Sequence, residues 1–219
     1  MTRLVFSRSA TSCTVFLQLL LLLCFQSSHG FSAQPNTAFP MTASVDVLSR
    51  RSIAPGDRIP DVCLSWGFNP ISEVNMVEYT ANESVLILGV TAAFIDSAIL
   101  ETFFHHQEEL KQLGIDNIIV YSCNDSAVVG IWNKQLVEAA TAAGNANSLM
   151  TFFGDPSGVF TKACGMGLEQ TPELTNLGLF RRCKPFALYV DKGVVKDVSV
   201  DDTKMSAPFW IQRIRELKQ

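Results

Sequence analysis

The run Val85-Leu-Ile-Leu-Gly-Val90 and the segment behind it constrain the fold more than any other stretch of the chain. Six nearly uninterrupted apolar residues read as a strand buried on both faces. They lead into Gly89–Thr102, and an amphipathic stretch runs on from Ser97 to Gly114. The pattern predicts strand, turn and helix, with the helix N-terminus at the C-terminal end of the strand. In an open α/β sheet such a junction is the usual place for a site, because free N–H groups and the helix dipole favour developing negative charge.

The helix shows Ile99, Phe103, Leu110 and Leu113 on one stripe, with Leu100 and Phe104 beside it. His105, Gln107, Glu108 and Lys111 fall on its polar face, and Gly114 ends it. Ile115–Ser122 reads as a second buried strand, and Asn124 or Asp125 is placed to cap a helix running to about Ala143. Leu149–Phe153 is a third strand, followed by the turn Asp155-Pro-Ser-Gly158 and a short helix through Lys162. Phe186–Val190, Asp191-Lys-Gly193 and Val194–Val200 form a hairpin, and Ser206–Leu217 closes the chain as a helix. Upstream, Asp61–Trp66 is a short strand and Gly67–Glu73 a turn-rich loop. Alternating strands and helices that end in a hairpin predict a three-layer α/β domain with a mixed sheet, of thioredoxin-like type.

The first 54 residues read differently. Arg3 and Arg8 precede the apolar run Val15–Phe25, and small residues follow at Ser28 and Gly30. This is the pattern of a signal peptide over 1–30, cleaved before Phe31; a membrane span would need about 20 apolar residues. Residues 31–54 are hydroxyl-rich, carry Arg50 and Arg51, and contain one acid, Asp46. That is transit-peptide composition. The pair resembles the bipartite presequences of algae with complex plastids, and Phe31 matches the Phe found at the new N-terminus there. The expectation is a plastid address with the domain in 55–219; an ordinary secreted protein with a disordered spacer is the alternative.

The segment 1–54 holds four of the 17 basic residues and one of the 21 acidic ones, which leaves 13 and 20, a formal charge of −7. An acidic domain without basic runs argues against nucleic acid. Cys63, Cys123, Cys164 and Cys183 lie in the domain without a C-x-x-C pair or a histidine at ligand spacing, so neither a metal nor a cofactor is expected. They read as reduced core thiols rather than a disulfide framework. His105 and His106 read as surface residues, and Trp132 and Phe160 as core. Asn82-Glu-Ser84 and Asn124-Asp-Ser126 are glycosylation sequons that matter only on a secretory route.

Four stretches in order resemble the peroxiredoxin family, specifically its type II (peroxiredoxin-5) subfamily. Gly56-Asp-x-x-Pro60 is similar to the start of that domain. Asn124-Asp-Ser-Ala-Val-Val-Gly-Ile-Trp132 is similar to N-D-x-x-V-x-x-x-W, and Asp155-Pro-Ser-Gly-Val-Phe-Thr-Lys162 to D-P-[ST]-G-x-F-x-K. Phe180-Arg-Arg-Cys-Lys-Pro-Phe-Ala187 sits where the family has R-x-x-R-[FY]-[AS]. The resemblance spans about Pro55 to Val200. It implies a thioredoxin-like fold and thiol-dependent reduction of hydroperoxides, with thioredoxin or glutaredoxin as reductant.

The family's active loop reads P-x-A-F-T-P-x-C. Ala93 and Phe94 match it, but Thr91 stands for the first Pro, Ile95 for Thr, Asp96 for the second Pro and Ala98 for the peroxidatic Cys. Arg182 matches the family arginine, and Val120 stands where the subfamily often has a resolving Cys. The chemistry needs a thiolate to attack the O–O bond, and an Arg and a hydroxyl to stabilise the leaving oxygen. On this reading the nucleophilic Cys is absent and the site is lost. The expectation is then a non-catalytic binding or regulatory module, a homodimer or a partner of an active peroxiredoxin. The alternative is a residual thiol peroxidase or oxidoreductase using Cys123, beside the N-D turn in apolar company, or Cys183, flanked by Arg181, Arg182 and Lys184. Asp96 is expected to cap the helix that begins at Ser97, to pair with Arg182, or both.

Overall fold

The structure is a computed structural model, and it describes residues 51–144 and 148–219. The presequence reading falls almost wholly outside those residues. Among them, seven strands form one sheet in the order β2-β1-β5-β4-β3-β6-β7. In chain order these are β1 (Cys63–Trp66), β2 (Ser72–Asn75), β3 (Ser84–Val90), β4 (Asn117–Ser122), β5 (Met150–Gly154), β6 (Phe186–Asp191) and β7 (Val194–Ser199). β3, β4 and β5 are parallel, while β1 and β6 join them antiparallel, so the sheet is mixed. The helices are α1 (Met76–Thr80), α2 (Ser97–Gln112), α3 (Ser126–Ala142), α4 (Val159–Ala163), α5 (Pro172–Asn176) and α6 (Ala207–Leu217). This is the mixed α/β, thioredoxin-like architecture expected, with its C-terminal hairpin and helix.

Strand side chains alternate between faces, and the two faces build separate cores. Leu86, Leu88, Ile118, Val120, Phe152 and Tyr189 point to α2, α3 and α6. Val85, Ile87, Ile119, Tyr121, Phe153 and Leu188 point to the other face, where Met76 of α1 and Phe160 of α4 cover them. Each such side chain stabilises the fold by about 1.5–3 kcal/mol on burial. Trp132 and Phe160 are fully buried, as expected.

The differences from the sequence reading have local causes. Gly67–Glu73 is not all loop: β2 pairs with β1 from Trp66↔Ser72 to Cys63↔Asn75, and α1 follows at once. Asn75 caps α1 by accepting from Val77 N–H at 2.9 Å and Glu78 N–H at 3.1 Å. Gln107 lies in the buried stripe of α2, not on its polar face. Its Oε1 accepts from Leu149 N–H at 3.0 Å, which satisfies a polar group an apolar side chain would strand. Asp125 caps α3 through Val128 N–H at 3.0 Å.

Two glycines permit close approach. A Cβ on Gly89 would sit 2.1 Å from the Phe186 ring, its cross-strand partner. One on Gly154 would meet the backbone of the Asn124–Ser126 turn at 2.7 Å. Without a side chain at 154, the end of β5 lies directly against the loop that carries Cys123.

Candidate functional site

The turn between β3 and α2 places the residues singled out in the sequence. Ala98 is the second residue of α2, behind Ser97, whose Oγ accepts from Trp132 Nε1–H at 3.0 Å. Phe94 takes a left-handed backbone conformation and, like Ile95, is exposed. Asp96 occupies the N-cap position of α2, yet its carboxylate makes no bond to that helix. It turns back and accepts from Thr91 N–H at 3.1 Å, so the turn is tied upon itself. Burial raises its pKa, and backbone N–H groups of Thr91 and Ala92 partly offset this. The expected side-chain cap is therefore not formed, and no Asp96–Arg182 ion pair exists among the described residues.

A second constellation lies on the opposite face of the sheet, and the sequence did not disclose it. Tyr121 near the end of β4, Cys123 just beyond, Asp155 after β5 and Thr161 in α4 meet there, all buried. Tyr121 Oη donates to Asp155 Oδ2 at 2.6 Å and lies 2.5 Å from Thr161 Oγ1. Thr161 N–H donates to the same phenol oxygen at 3.2 Å. Cys123 Sγ is 3.2 Å from Thr161 Oγ1 and 3.4 Å from Tyr121 Oη. Asp155 also accepts from Val159 N–H and Phe160 N–H, both at 2.9 Å, which holds α4 in place. Thiol, threonine hydroxyl, phenol and carboxylate thus form a chain in which each group can donate to the next. Cys123 belongs to the apolar cluster of this face, as expected, and bonds to these polar groups within it.

Hydrogen bonding sets its chemistry. The neighbouring Cys183, then Thr161 and Tyr121, lower the Cys123 pKa to about 6 against the opposing effect of burial. A thiolate is the reactive form of cysteine. Cys183 itself is fully buried, and its Sγ donates to Val90 O at 3.1 Å. Its pKa is raised by its neighbour Cys123 and by burial, although Arg181, Arg182 and Lys184 flank it in the chain. Cys164 is buried as well, and desolvation pushes it up to about 12.

Thr161 also lines a cleft of about 500 Å³ whose walls carry Lys162, Arg181, Arg182 and Gln170 and no acidic side chain. Arg182, matched above to a peroxide-holding arginine, thus shares a cleft with the hydroxyl that bonds Cys123. Its Nε is buried without a hydrogen-bond partner.

Cys63 completes the set of free thiols among the described residues, and it is exposed. It stands at the head of β1, which pairs with β5 at Ser65↔Gly154, so it lies beyond the C-terminal ends of the parallel strands. β5 and β4 separate β1 from β3, a lateral distance of roughly 14 Å at the usual strand spacing. Among the described residues no cluster of side chains suits a metal ion, and no helix is long and apolar enough to cross a membrane.

Residues 54–208 match the Redoxin family, and the chain belongs to it. It is 30% identical over 155 residues to Peroxiredoxin-2C of Oryza sativa subsp. japonica, covering 68% of this chain and 88% of that one. It is also 30% identical over 158 residues to the rice protein Peroxiredoxin-2E-2, chloroplastic, covering 69% and 66%. The crystal structure of reduced Prx3 in complex with hydrogen peroxide from Vibrio vulnificus superposes with a TM-score of 0.62 at 23% identity. The match covers 76% of this chain and 99% of that one, and shows a shared fold.

These findings overturn the expectation of a chain without its nucleophilic cysteine. That expectation looked for the thiol only in the first turn of α2, at Ala98. Cys63 is present, free and exposed on β1, and the relatives are peroxiredoxins. The reading as a non-catalytic module, a pseudoenzyme, fails with it, because thiol chemistry is available to the chain.

Proposed function

We propose that this protein is a thiol-dependent hydroperoxide reductase whose reacting thiol is Cys123. The observation that carries the reading is the bonding of Cys123 to Thr161, the residue that also faces the cationic cleft. A peroxide in that cleft meets Arg182 on the wall, and the stabilised thiolate lies one side chain away. The thiolate attacks one peroxide oxygen and the O–O bond breaks; the arginine favours the negative charge on the departing oxygen. Cys63 supports a second reading, since its exposure makes it the thiol most open to solvent.

The test is consumption of hydrogen peroxide by the full-length chain with thioredoxin or glutaredoxin as reductant. Turnover should be lost in Cys123→Ser and kept in Cys63→Ser. Loss in Cys63→Ser alone transfers the role to Cys63, and no turnover in the unaltered chain ends the proposal.

Residues 1–30 act as a signal peptide and 31–54 as a transit segment that delivers the domain 55–219 to a plastid. Their composition and the chloroplastic name of a relative support this. A reporter fused to residues 1–54 should enter the plastid; export to the medium would show a secreted protein instead. A homodimer is the assembly this reading favours, and sedimentation at micromolar concentration measures it.

A further inference from the structure

We propose that Asn82 carries an N-linked oligosaccharide, attached while the chain is being made. The proposal rests on the reading of residues 1–30 as a signal peptide, which delivers the growing chain to a secretory lumen, and not on any thiol. Two N-x-[ST] triplets follow that segment, Asn82-Glu-Ser84 and Asn124-Asp-Ser126. The fold tells them apart. Asn82 is exposed in the turn between α1 and β3. That turn lies at the N-terminal end of β3, where Lys192 N–H of the β6–β7 hairpin donates to Glu83 O at 2.9 Å. Cys123, Cys183 and the cleft lie at the other end, where the carbonyl of Val90, the last residue of β3, accepts the Cys183 thiol at 3.1 Å. The seven residues of β3 separate the two ends by about 20 Å. A sugar on Asn82 therefore projects into solvent and leaves the cleft open. Asn124 has the opposite setting. It is half-buried, its Oδ1 accepts from Ala93 N–H at 3.0 Å and from Ser122 Oγ at 2.9 Å, and Ser126 is buried. A sugar there would keep the turn from closing on the β3–α2 loop, so the folded chain carries its glycan on Asn82 alone.

Ser84 fixes the timing. Its hydroxyl is the third-residue group that the acceptor triplet requires. In the fold this hydroxyl donates to Asp191 Oδ1 at 2.7 Å, and Ser84 opens β3 in register with Asp191 of β6. Asp191 comes 107 residues later in the chain. The triplet thus enters the lumen before the residue that locks its hydroxyl has been made, and it is closed once β6 has paired. The donor is a lipid-linked diphospho-oligosaccharide. Asn82 Nδ2 attacks the anomeric carbon of the sugar, and an N–C bond forms as the C–O bond to the diphosphate breaks. The lipid diphosphate leaves with the electron pair, and the amide gives one proton to the transferring enzyme. Nothing is oxidised or reduced, and the product is a bulky, solubilising group on the surface.

The test is translation of the full-length chain in the presence of endoplasmic-reticulum vesicles, followed by protease protection, electrophoresis and peptide mapping after glycan release by peptide N-glycosidase in heavy-oxygen water. The expected product is protected from protease, migrates with one added glycan and carries heavy oxygen at position 82 only. Asn82→Gln removes the shift, and Ser84→Thr, which keeps the hydroxyl, retains it. The folded full-length chain, offered to the same vesicles opened with detergent, stays unmodified; modification there overturns the timing. A protected chain without a glycan overturns the proposal and keeps the signal peptide. A chain open to protease overturns both. A glycan on Asn124 overturns the choice of site. Asn82→Gln alters one exposed side chain in a turn, so loss of its glycan does not report misfolding.

Discussion

Replacing Tyr121 by Phe removes one oxygen from the centre of the buried network and leaves the ring, its packing on Phe160 and the β4 backbone in place. Asp155 loses the donor at 2.6 Å, a bond to a charged group worth about 1.5–3 kcal/mol. Thr161 N–H loses the acceptor at 3.2 Å inside the protein, and a stranded buried donor costs about 1–3 kcal/mol. The two losses share one atom and overlap, so the expected destabilisation is about 2–4 kcal/mol. At roughly 2–4 °C per kcal/mol for a domain of this size, Tm falls by about 4–16 °C. Urea unfolding followed by tryptophan fluorescence measures the first figure and calorimetry the second. The Cys123 pKa must rise in the same variant, because Tyr121 is one of the groups that lower it. Tyr189→Phe on β6 is the control, a buried tyrosine outside the network. If Tyr121→Phe unfolds within 0.5 kcal/mol of the parent protein, and its thiol titrates as before, the network holds neither α4 nor the thiolate and the reasoning fails.

Further outcomes are expected. Alkylation of Cys123 should rise with pH through about 6 and level off above 7, since only the thiolate reacts and its pKa is about 6; a rate still climbing at pH 8 marks an ordinary thiol. Asp96→Asn should raise Tm at neutral pH. Burial raises the folded-state pKa of Asp96, so its ionised form costs stability once the pH exceeds the ordinary carboxylate value, and the gain should vanish below about pH 4. Gly154→Ala forces its Cβ against the Asn124–Ser126 backbone and should cost about 1–3 kcal/mol. It should also slow peroxide consumption, because that turn adjoins Cys123. Gly89→Ala should cost a similar 1–3 kcal/mol against the Phe186 ring, with little effect on the thiol titration.

The long elements were legible because their periodicity is strong. β3, α2, β4 and α3 fall within two or three residues of expectation, and the hairpin and last helix as closely. α1 and α5 span five residues each, too few to show a helical period, and β2 owes its existence to pairing with β1. The network at Cys123 was illegible for a different reason. Tyr121 and Cys123 read as an apolar strand end, and Asp155 and Thr161 belong to a turn and the short helix α4 more than 30 residues away. Only the parallel pairing of β4 with β5 brings them into contact. Asp96 shows the limit of local rules: its position is that of a cap, but Thr91 and Ala92 offer N–H groups nearer than those of the helix.

The two cores divide the molecule's labour. The exposed loop of Phe94 and Ile95 leads into α2, while Cys123 and Cys183 lie in the core covered by α4, with the sheet standing between the two cores as a wall. The wall is not sealed at its edge: Ala93 N–H of the same loop donates to Asn124 Oδ1 at 3.0 Å, beside Cys123, and the Asp96 carboxylate bears on Cys183, so substitutions in the loop reach the thiols as well as the surface.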